Sequence, residues 1–419
     1  MASPPHPNDP CIIAARRTPL CRARRGSLAA VPPSTLLAAA LDGVLASVRC
    51  ARTGRPLPFD GGLVEDVCVG NVLGPASGAV TCRMAQLSTR SSVAGGLDAS
   101  VPLRTCNRQC ASGLQAVADV CHAVWAGSIS CGIGAGVESM SAHPMKSVTP
   151  PDVDWEVVKG AVGTGGRNEA MDCLIPMGRT SDNVCAEYGL NRTALDEFSV
   201  RSHARAHAAS SSGAFDAEIV PVGDVSKDDG IRPNSSLDTL SQLKPVFSKE
   251  GLTTAGNSSQ MTDGAAAVLI MSRQEANRQG LQILAVFRGF HACGVPPHLM
   301  GVGPAVAVPR VLDQVGWAVN DVDVYEINEA FASQATYCAE VIGIKEGEGK
   351  PNLNPLGGAI ALGHPLGATG ARMVATLVHE LQRRGGARKG VVSMCIGTGM
   401  GVAAAFEFEA GSDVHTLKL

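Results

Sequence analysis

Apolar positions along this chain follow two alternating rhythms. Residues 11–15 (Cys-Ile-Ile-Ala-Ala) form a short unbroken apolar run and predict a buried strand, followed by a basic turn, Arg16-Arg17-Thr18-Pro19. Residues 34–48 are apolar along a helical stretch, with Ser34 as its N-cap. Residues 64–70 alternate and predict a second strand. Val101 to Asn107 leads through a Gly/Ser turn into an apolar helix, Leu114 to Val124, and Gly132 to Glu138 predicts a further strand.

The pattern changes over residues 143–252, which hold isolated charges, several Pro and Ser, and two punctuated helices. One starts near Thr180-Ser181 and stops at Gly189. The next has Thr193 as N-cap with Asp196 three residues on, and runs toward Gly213. This segment reads as a polar insertion. The strand-and-helix rhythm then returns with an internal echo. Val64-Glu65-Asp66-Val67-Cys68-Val69 resembles Val319-Asn320-Asp321-Val322-Asp323-Val324. Gln109 to Gly113 opens one helix, and Gly363 to Gly367 opens another at the matching place. The Gly-rich strand at 132–138 is echoed within Val391 to Ala405. Two copies of one α/β unit follow, divided as residues 1–142 with 253–287 for the first, 143–252 for the insertion, and 288–419 for the second.

Composition narrows the function. Aromatic residues make up only 4% of the chain against 48 glycines, so the core must be Ala, Val, Leu and Ile with backbones packed close. A net charge of −3 with no basic run excludes a nucleic-acid footprint. No apolar run reaches membrane-span length, and the Pro-rich opening, Met1 to Pro10, reads as neither an amphipathic presequence nor a secretory signal. Fourteen Cys without a C-x-x-C pair point to reduced thiols, most of them small core residues.

Four polar residues stand out. Cys110 lies between a strand and a helix, where the positive end of the helix macrodipole favours a thiolate; on position alone a structural cysteine fits equally. His364 sits in the Gly-rich run Asn354 to Gly370, with Pro365 at the first helical position, a setting that exposes an imidazole as a general base. Cys395 ends an apolar strand before Gly397-Thr398-Gly399, whose backbone N–H groups suit an oxyanion hole. Asn328, in Asn328-Glu329-Ala330-Phe331, can hold a water, although a helix start explains the same tetrapeptide. His203 and His207 lack a nearby acidic ligand and read as a solvated helix face, so no metal is expected.

Together these segments resemble the thiolase family. Asn107 to Ala116 is similar to its nucleophile motif, Gly134 to Ser141 to its Gly-rich strand, and Asn328 to Ala332, Gly363-His364-Pro365 and Cys395-Ile396-Gly397 to its other catalytic segments. The resemblance implies a five-layer α-β-α-β-α fold from two duplicated halves with an inserted loop domain. It implies Cys110 as nucleophile, His364 as its base and Cys395 as a second acid/base. Asn328 through a water, with His364, would hold the thioester oxygen, and the N–H groups of Cys110 and Gly397 a second oxyanion. Arg232, Ser259 and Met177 would contact coenzyme A, with Ala330 and Phe331 near its pantetheine. Coenzyme A is then a co-substrate, no cofactor is needed, and the assembly is a homodimer. Pro176-Met177-Gly178, where acetoacetyl-specific members carry His-Met-Gly, resembles the degradative peroxisomal type acting on 3-ketoacyl-CoA. A biosynthetic acetoacetyl-CoA thiolase, an inactive lipid-binding relative and a cytoplasmic location are the alternatives. Leu417-Lys418-Leu419 differs from the Ser-Lys-Leu address at its first position. Cys173, in the loop expected to cover the pocket, is the candidate redox partner of Cys110, against a plain packing role.

Overall fold

Two runs of strands with the same pairing pattern fold into two five-stranded sheets. The computed structural model describes residues 5–89, 96–145, 152–163, 166–345, 352–385 and 388–409; Leu417-Lys418-Leu419 lies outside them. The strands are β1 (Pro10–Arg17), β2 (Cys21–Arg22), β3 (Asp66–Gly70), β4 (Leu103–Cys106), β5 (Cys131–Ser139), β6 (Thr262–Ser272), β7 (Ala285–Gly294), β8 (Val324–Ile327), β9 (Asn352–Leu353), β10 (Lys389–Ile396) and β11 (Met400–Glu407). The first sheet runs β4-β3-β5-β6-β1 and the second β7-β11-β10-β8-β9, with β2 on β6. They join where Cys11 and Ile12 of β1 pair with Val286 and Ala285 of β7.

In each half one strand pairs in parallel with both neighbours (β3 with β4 and β5; β8 with β9 and β10), and two antiparallel strands complete the sheet. The duplication is therefore real, but its register differs from the sequence echo. Short 3₁₀ turns at Gly61–Leu63 and Val319–Asp321 close on Val64 and Val322, in near-identical extended conformations. Val64 thus corresponds to Val322, three residues from the expected match, because valines recur at 319, 322 and 324 and only the turn decides which of them matches Val64.

The helices are α1 (Pro33–Ala46), α2 (Ala79–Leu87), α3 (Ser112–Trp125), α4 (Trp155–Gly160), α5 (Glu169–Asp172), α6 (Met177–Tyr188), α7 (Arg192–Ser211), α8 (Leu237–Ser241), α9 (Arg273–Arg278), α10 (Gly303–Val315), α11 (Ala332–Ile342), α12 (Ala359–Leu362) and α13 (Leu366–Arg384). Alternate side chains of β6 separate the layers. Ala265, Ala267, Leu269 and Met271 pack with α1 and α2, whereas Ala266, Val268 and Ile270 pack with α3 and α13. The far face of α3 and α13 meets Val392, Met394, Val402 and Phe406, and α10 and α11 cover the other side of that second sheet. Five layers, α-β-α-β-α, result. Sheets covered on both faces explain why their strands read as unbroken apolar runs.

Several local readings change. The strand β1 continues through Arg16 and Arg17. Arg17 is fully buried, bonded to Glu218 at 2.5 Å and to both oxygens of Asp228 at 2.7 and 3.0 Å, which ties the 143–252 segment to the first sheet. Pro33 opens α1 with Pro32 as N-cap, so Ser34 lies inside the helix. Asn191, not Thr193, caps α7 through Ala194 N–H, which leaves Asp196 to pair with Arg192. His203 is buried, not solvated; its Nδ1 accepts Arg232 N–H at 3.1 Å, and burial pushes its pKa down to about 4.

The central layer is unusually close. A β-carbon at Gly113 of α3 would lie 2.6 Å from Gly367 O of α13, and one at Gly370 would lie 2.2 Å from Leu114 N. Gly370→Ala should therefore destabilise the protein by about 1–3 kcal/mol, whereas Gly160→Ala, with open space around its β-carbon, should change stability by less than about 0.5 kcal/mol. Denaturant titration checks both. Equal effects would refute the close-contact account.

Candidate active site

The turn between β4 and α3 holds Cys110 by an uncommon backbone. Gln109 adopts φ +47°, a conformation most side chains avoid. The Ser112 hydroxyl accepts Arg108 N–H at 2.9 Å and donates to Gln109 O at 2.6 Å, bracing that turn. Ala111 is the N-cap of α3, so Cys110 stands just before the helix. The nearby backbone N–H groups of Gly397 and of Cys110 itself act to lower the pKa of its thiol. Burial nevertheless raises the thiol pKa and outweighs those donors, with Glu138 adding to the rise. Desolvation thus opposes the helix-stabilised thiolate expected from position.

His364 comes from the second half. Gly363 holds φ +104°, and a β-carbon there would lie 2.1 Å from Thr262 Oγ1. His364 N–H then bonds Gln260 O at 3.0 Å and Thr262 Oγ1 at 3.1 Å. The imidazole is buried, and burial, with Arg372 adding repulsion, lowers its pKa to about 3, so it is neutral. Its tautomer follows from one hydroxyl. Thr369 Oγ1 donates to Pro365 O at 2.9 Å, so towards His364 Nδ1, at 2.7 Å, it can only accept. Nδ1 therefore carries the proton, and Nε2 presents its lone pair, 3.3 Å from Asn328 Nδ2.

Cys395 is fully buried at the end of β10, and burial followed by the neighbouring Cys110 raises its pKa well above the ordinary thiol value. It clusters with Met300, Ala330, Phe331 and Met177. The Met177 sulfur also lies 3.7 Å from where a β-carbon on Gly397 would stand. Ser259 joins through its N–H to Ala330 O at 3.0 Å. Cys110, Cys395, His364, Asn328, Gly397, Met177, Ser259, Ala330 and Phe331 thus gather at one junction of the two halves and the insertion.

Comparison with known protein families and structures then decides the kinship. Residues 11–274 match the thiolase N-terminal domain and residues 281–408 the thiolase C-terminal domain. The chain belongs to the thiolase family. It is 48% identical to the mouse peroxisomal 3-ketoacyl-CoA thiolase A over 96% of this chain and 91% of that protein. It is 46% identical to the human peroxisomal 3-ketoacyl-CoA thiolase, again over 96% and 91%. The crystal structure of the dimeric peroxisomal thiolase of Saccharomyces cerevisiae superposes with a TM-score of 0.85 at 40% identity, covering 97% of this chain and 99% of that one.

Two predicted residues stand apart from the thiolase junction. Arg232 is exposed; its N–H bonds His203 Nδ1 and its carbonyl accepts Ser235 N–H at 3.2 Å. Cys173 caps α5, and its thiol donates to Glu169 O at 3.5 Å; the cysteine beside Cys110 is Cys395. Cys173 is a half-buried free thiol, and its pairing with Cys110 under oxidation stays a proposal. Three bracing residues went unnoticed in the sequence. Thr369 fixes the His364 tautomer. Gln260 Nε2 holds Gly230 O, Ile360 O and Ala361 O beneath the histidine loop. Glu138, buried, takes Val72, Leu73 and Gly367 N–H groups and the Asn71 amide, and burial raises its pKa to about 7. Thr369 could have been found as the hydroxyl one helical turn past His364; the other two carry no local signal.

A neutral thiol beside a neutral imidazole predicts the pH dependence. Cys110 alkylation by iodoacetamide should climb with pH into the alkaline range. It should show no plateau above the ordinary histidine value of about 6.5, which a resting thiolate–imidazolium pair would give. Thr369→Val should lower kcat by about 10- to 100-fold, part of what a positioned base contributes, with KM little changed. An unaltered kcat would sink the tautomer assignment.

Proposed function

We propose that this protein is a 3-ketoacyl-CoA thiolase, an acetyl-CoA C-acyltransferase that cleaves 3-ketoacyl-CoA with coenzyme A in fatty-acid β-oxidation. The second buried thiol, Cys395, beside Cys110, together with the buried His364–Asn328 pair in a chain of this family, carries this reading.

Substrate binding expels water, and the Cys110 proton passes to His364 Nε2. The sulfur attacks the 3-keto carbon, and the N–H groups of Cys110 and Gly397 receive the alkoxide. When the C–C bond breaks, the departing acetyl-CoA enolate needs its oxygen stabilised and its carbon protonated. Protonated His364 and a water on Asn328 meet the first need. Cys395, kept as a neutral thiol by burial, supplies the proton. The acyl group remains on Cys110. Cys395, now a thiolate, takes the proton of incoming coenzyme A, whose sulfur accepts the acyl group; the released Cys110 sulfur takes its proton back from His364, and all three residues return to their starting state. Each electron pair moves between carbon, oxygen and sulfur, so the scheme uses coenzyme A as co-substrate and calls on no metal or redox cofactor. Met177, Ala330, Phe331 and Ser259 would line the pantetheine path, and Arg232, exposed on the insertion, would meet the charged end of coenzyme A.

The division into residues 1–142 with 253–287, 143–252 and 288–419 assigns that coenzyme A surface to the insertion. A homodimer fits the free edge of the first sheet at β4 and the exposed Val80, Met84 and Leu87 of α2. The peroxisome is the compartment named for the mouse and human relatives, and we carry it to this chain.

Purified protein given 3-ketoacyl-CoA and coenzyme A should release acetyl-CoA, with an acyl mass on Cys110. Cys110→Ala should abolish both. Cys395→Ala should still acylate from acetyl-CoA but lose exchange of the acetyl α-protons. Release of acetyl-CoA by Cys110→Ala at the native rate would end this reading, and light scattering at micromolar concentration should report a dimer.

A further inference from the structure

A second sulfur cluster lies on the other side of the nucleophile turn. Cys68 is fully buried on β3, Cys106 is half-buried on β4, and Asp119 lies on the outward side of α3. The two strands pair in parallel with Cys68 opposite Arg104, so Cys68 and Cys106 project from the same face of the sheet toward α3. The two thiol sulfurs and a carboxylate oxygen of Asp119 all lie within 4.8 Å of one another. Neither cysteine has a role in the reaction above.

We propose that Cys68, Cys106 and Asp119 form a binding site for one thiophilic divalent cation of the zinc class. An ion that bonds thiolate at about 2.3 Å with tetrahedral geometry holds its donor atoms about 3.7 Å apart. The present spacing, within 4.8 Å, is about an ångström wider than that value. Two thiolates and a carboxylate carry three negative charges and the ion two positive, and the remaining charge is met by Arg104, whose Nη1 bonds Asp119 Oδ2 at 3.1 Å. Binding forms two metal–sulfur bonds and releases the two thiol protons to solvent, with no change of oxidation state.

The surroundings support a ligand at this point. Gln115 Nε2 donates to Asp119 Oδ1 at 2.5 Å and fixes the carboxylate as outer partners of metal ligands do. The other end of that amide, Oε1, is buried and has no hydrogen-bond partner among the described residues. A water filling the fourth position on the ion would donate to it. Three protein donors of the S,S,O type with one position left for water suit zinc and exclude magnesium or calcium, which prefer all-oxygen shells. The site touches the catalytic turn without entering it. The Cys106 thiol donates to Ser112 O at 3.4 Å, and Ser112 braces Arg108 and Gln109 ahead of the nucleophile. A bound ion would pin β3, β4 and α3 together beneath that turn.

The catalytic thiols could also take a soft metal, so the test must separate the two places. Intact protein is produced with zinc supplied, desalted, and its metal content measured, with cobalt(II) spectra as a second readout. One ion per chain is expected in the native protein and equally in Cys110→Ala. Cys106→Ser and Asp119→Asn should lose it, together with the thiolate-to-cobalt band. Added zinc should raise the thermal midpoint of the native protein but not that of Cys106→Ser. Cys106→Ser disturbs only a half-buried position, and its thiolytic activity reports that it has folded. Absence of zinc from the native protein, retention by Cys106→Ser, or loss in Cys110→Ala would each overturn the proposal.

Discussion

The backbones of α3 and α13 touch where Gly113 meets Gly367 O and Gly370 meets Leu114. Gly136 of β5 packs against the same carbonyl, so that a β-carbon there would stand 2.1 Å from it. The rest of the site depends on this contact. Cys110 precedes α3 and His364 precedes α13, each belonging to a different half of the duplication. Packing main chain to main chain brings the starts of both helices, and with them the two residues of the proposed mechanism, to the same junction. Glu138 reinforces the arrangement by reaching from the first half to Gly367 N–H of the second.

Desolvation then sets the chemistry. Burial pushes Cys110 and Cys395 up and His364 down, so the resting site is uncharged at its reacting atoms. Such a site admits a neutral thioester readily and develops charge only as bonds change, where fixed N–H groups already wait. The duplicated halves have divided the work. In the proposed mechanism one supplies the nucleophile, and the other supplies the base, the second thiol and the asparagine.

Much of this was legible in the sequence because the motifs sit at chain turns whose glycines and helix starts are local features. Cys110, His364, Cys395, Asn328 and Gly397 needed no tertiary information to be singled out, and the alternating layers were foreshadowed by apolar runs and scarce aromatics. What was hidden depends on distance through space. The desolvation that opposes a thiolate at Cys110 was hidden because burial is a property of the whole fold. The echo slipped by three residues because valine–aspartate strings repeat, and the 3₁₀ turn that fixes the register has no sequence marker. His203 looked solvated because alternate residues of α7 carry charge, while its own side faces Arg232. Cys68, Cys106 and Asp119 come from three separate elements, so no spacing announces them.

The α3–α13 seam has one more consequence. A contact made by backbone atoms has no rotamers to exchange and almost no void to collapse. Hydrostatic pressure favours states that eliminate internal voids, and here it would find little volume to gain. The position of sulfur relative to imidazole should consequently be among the least compressible distances in the molecule, and turnover should tolerate compression up to the point where the two halves separate altogether.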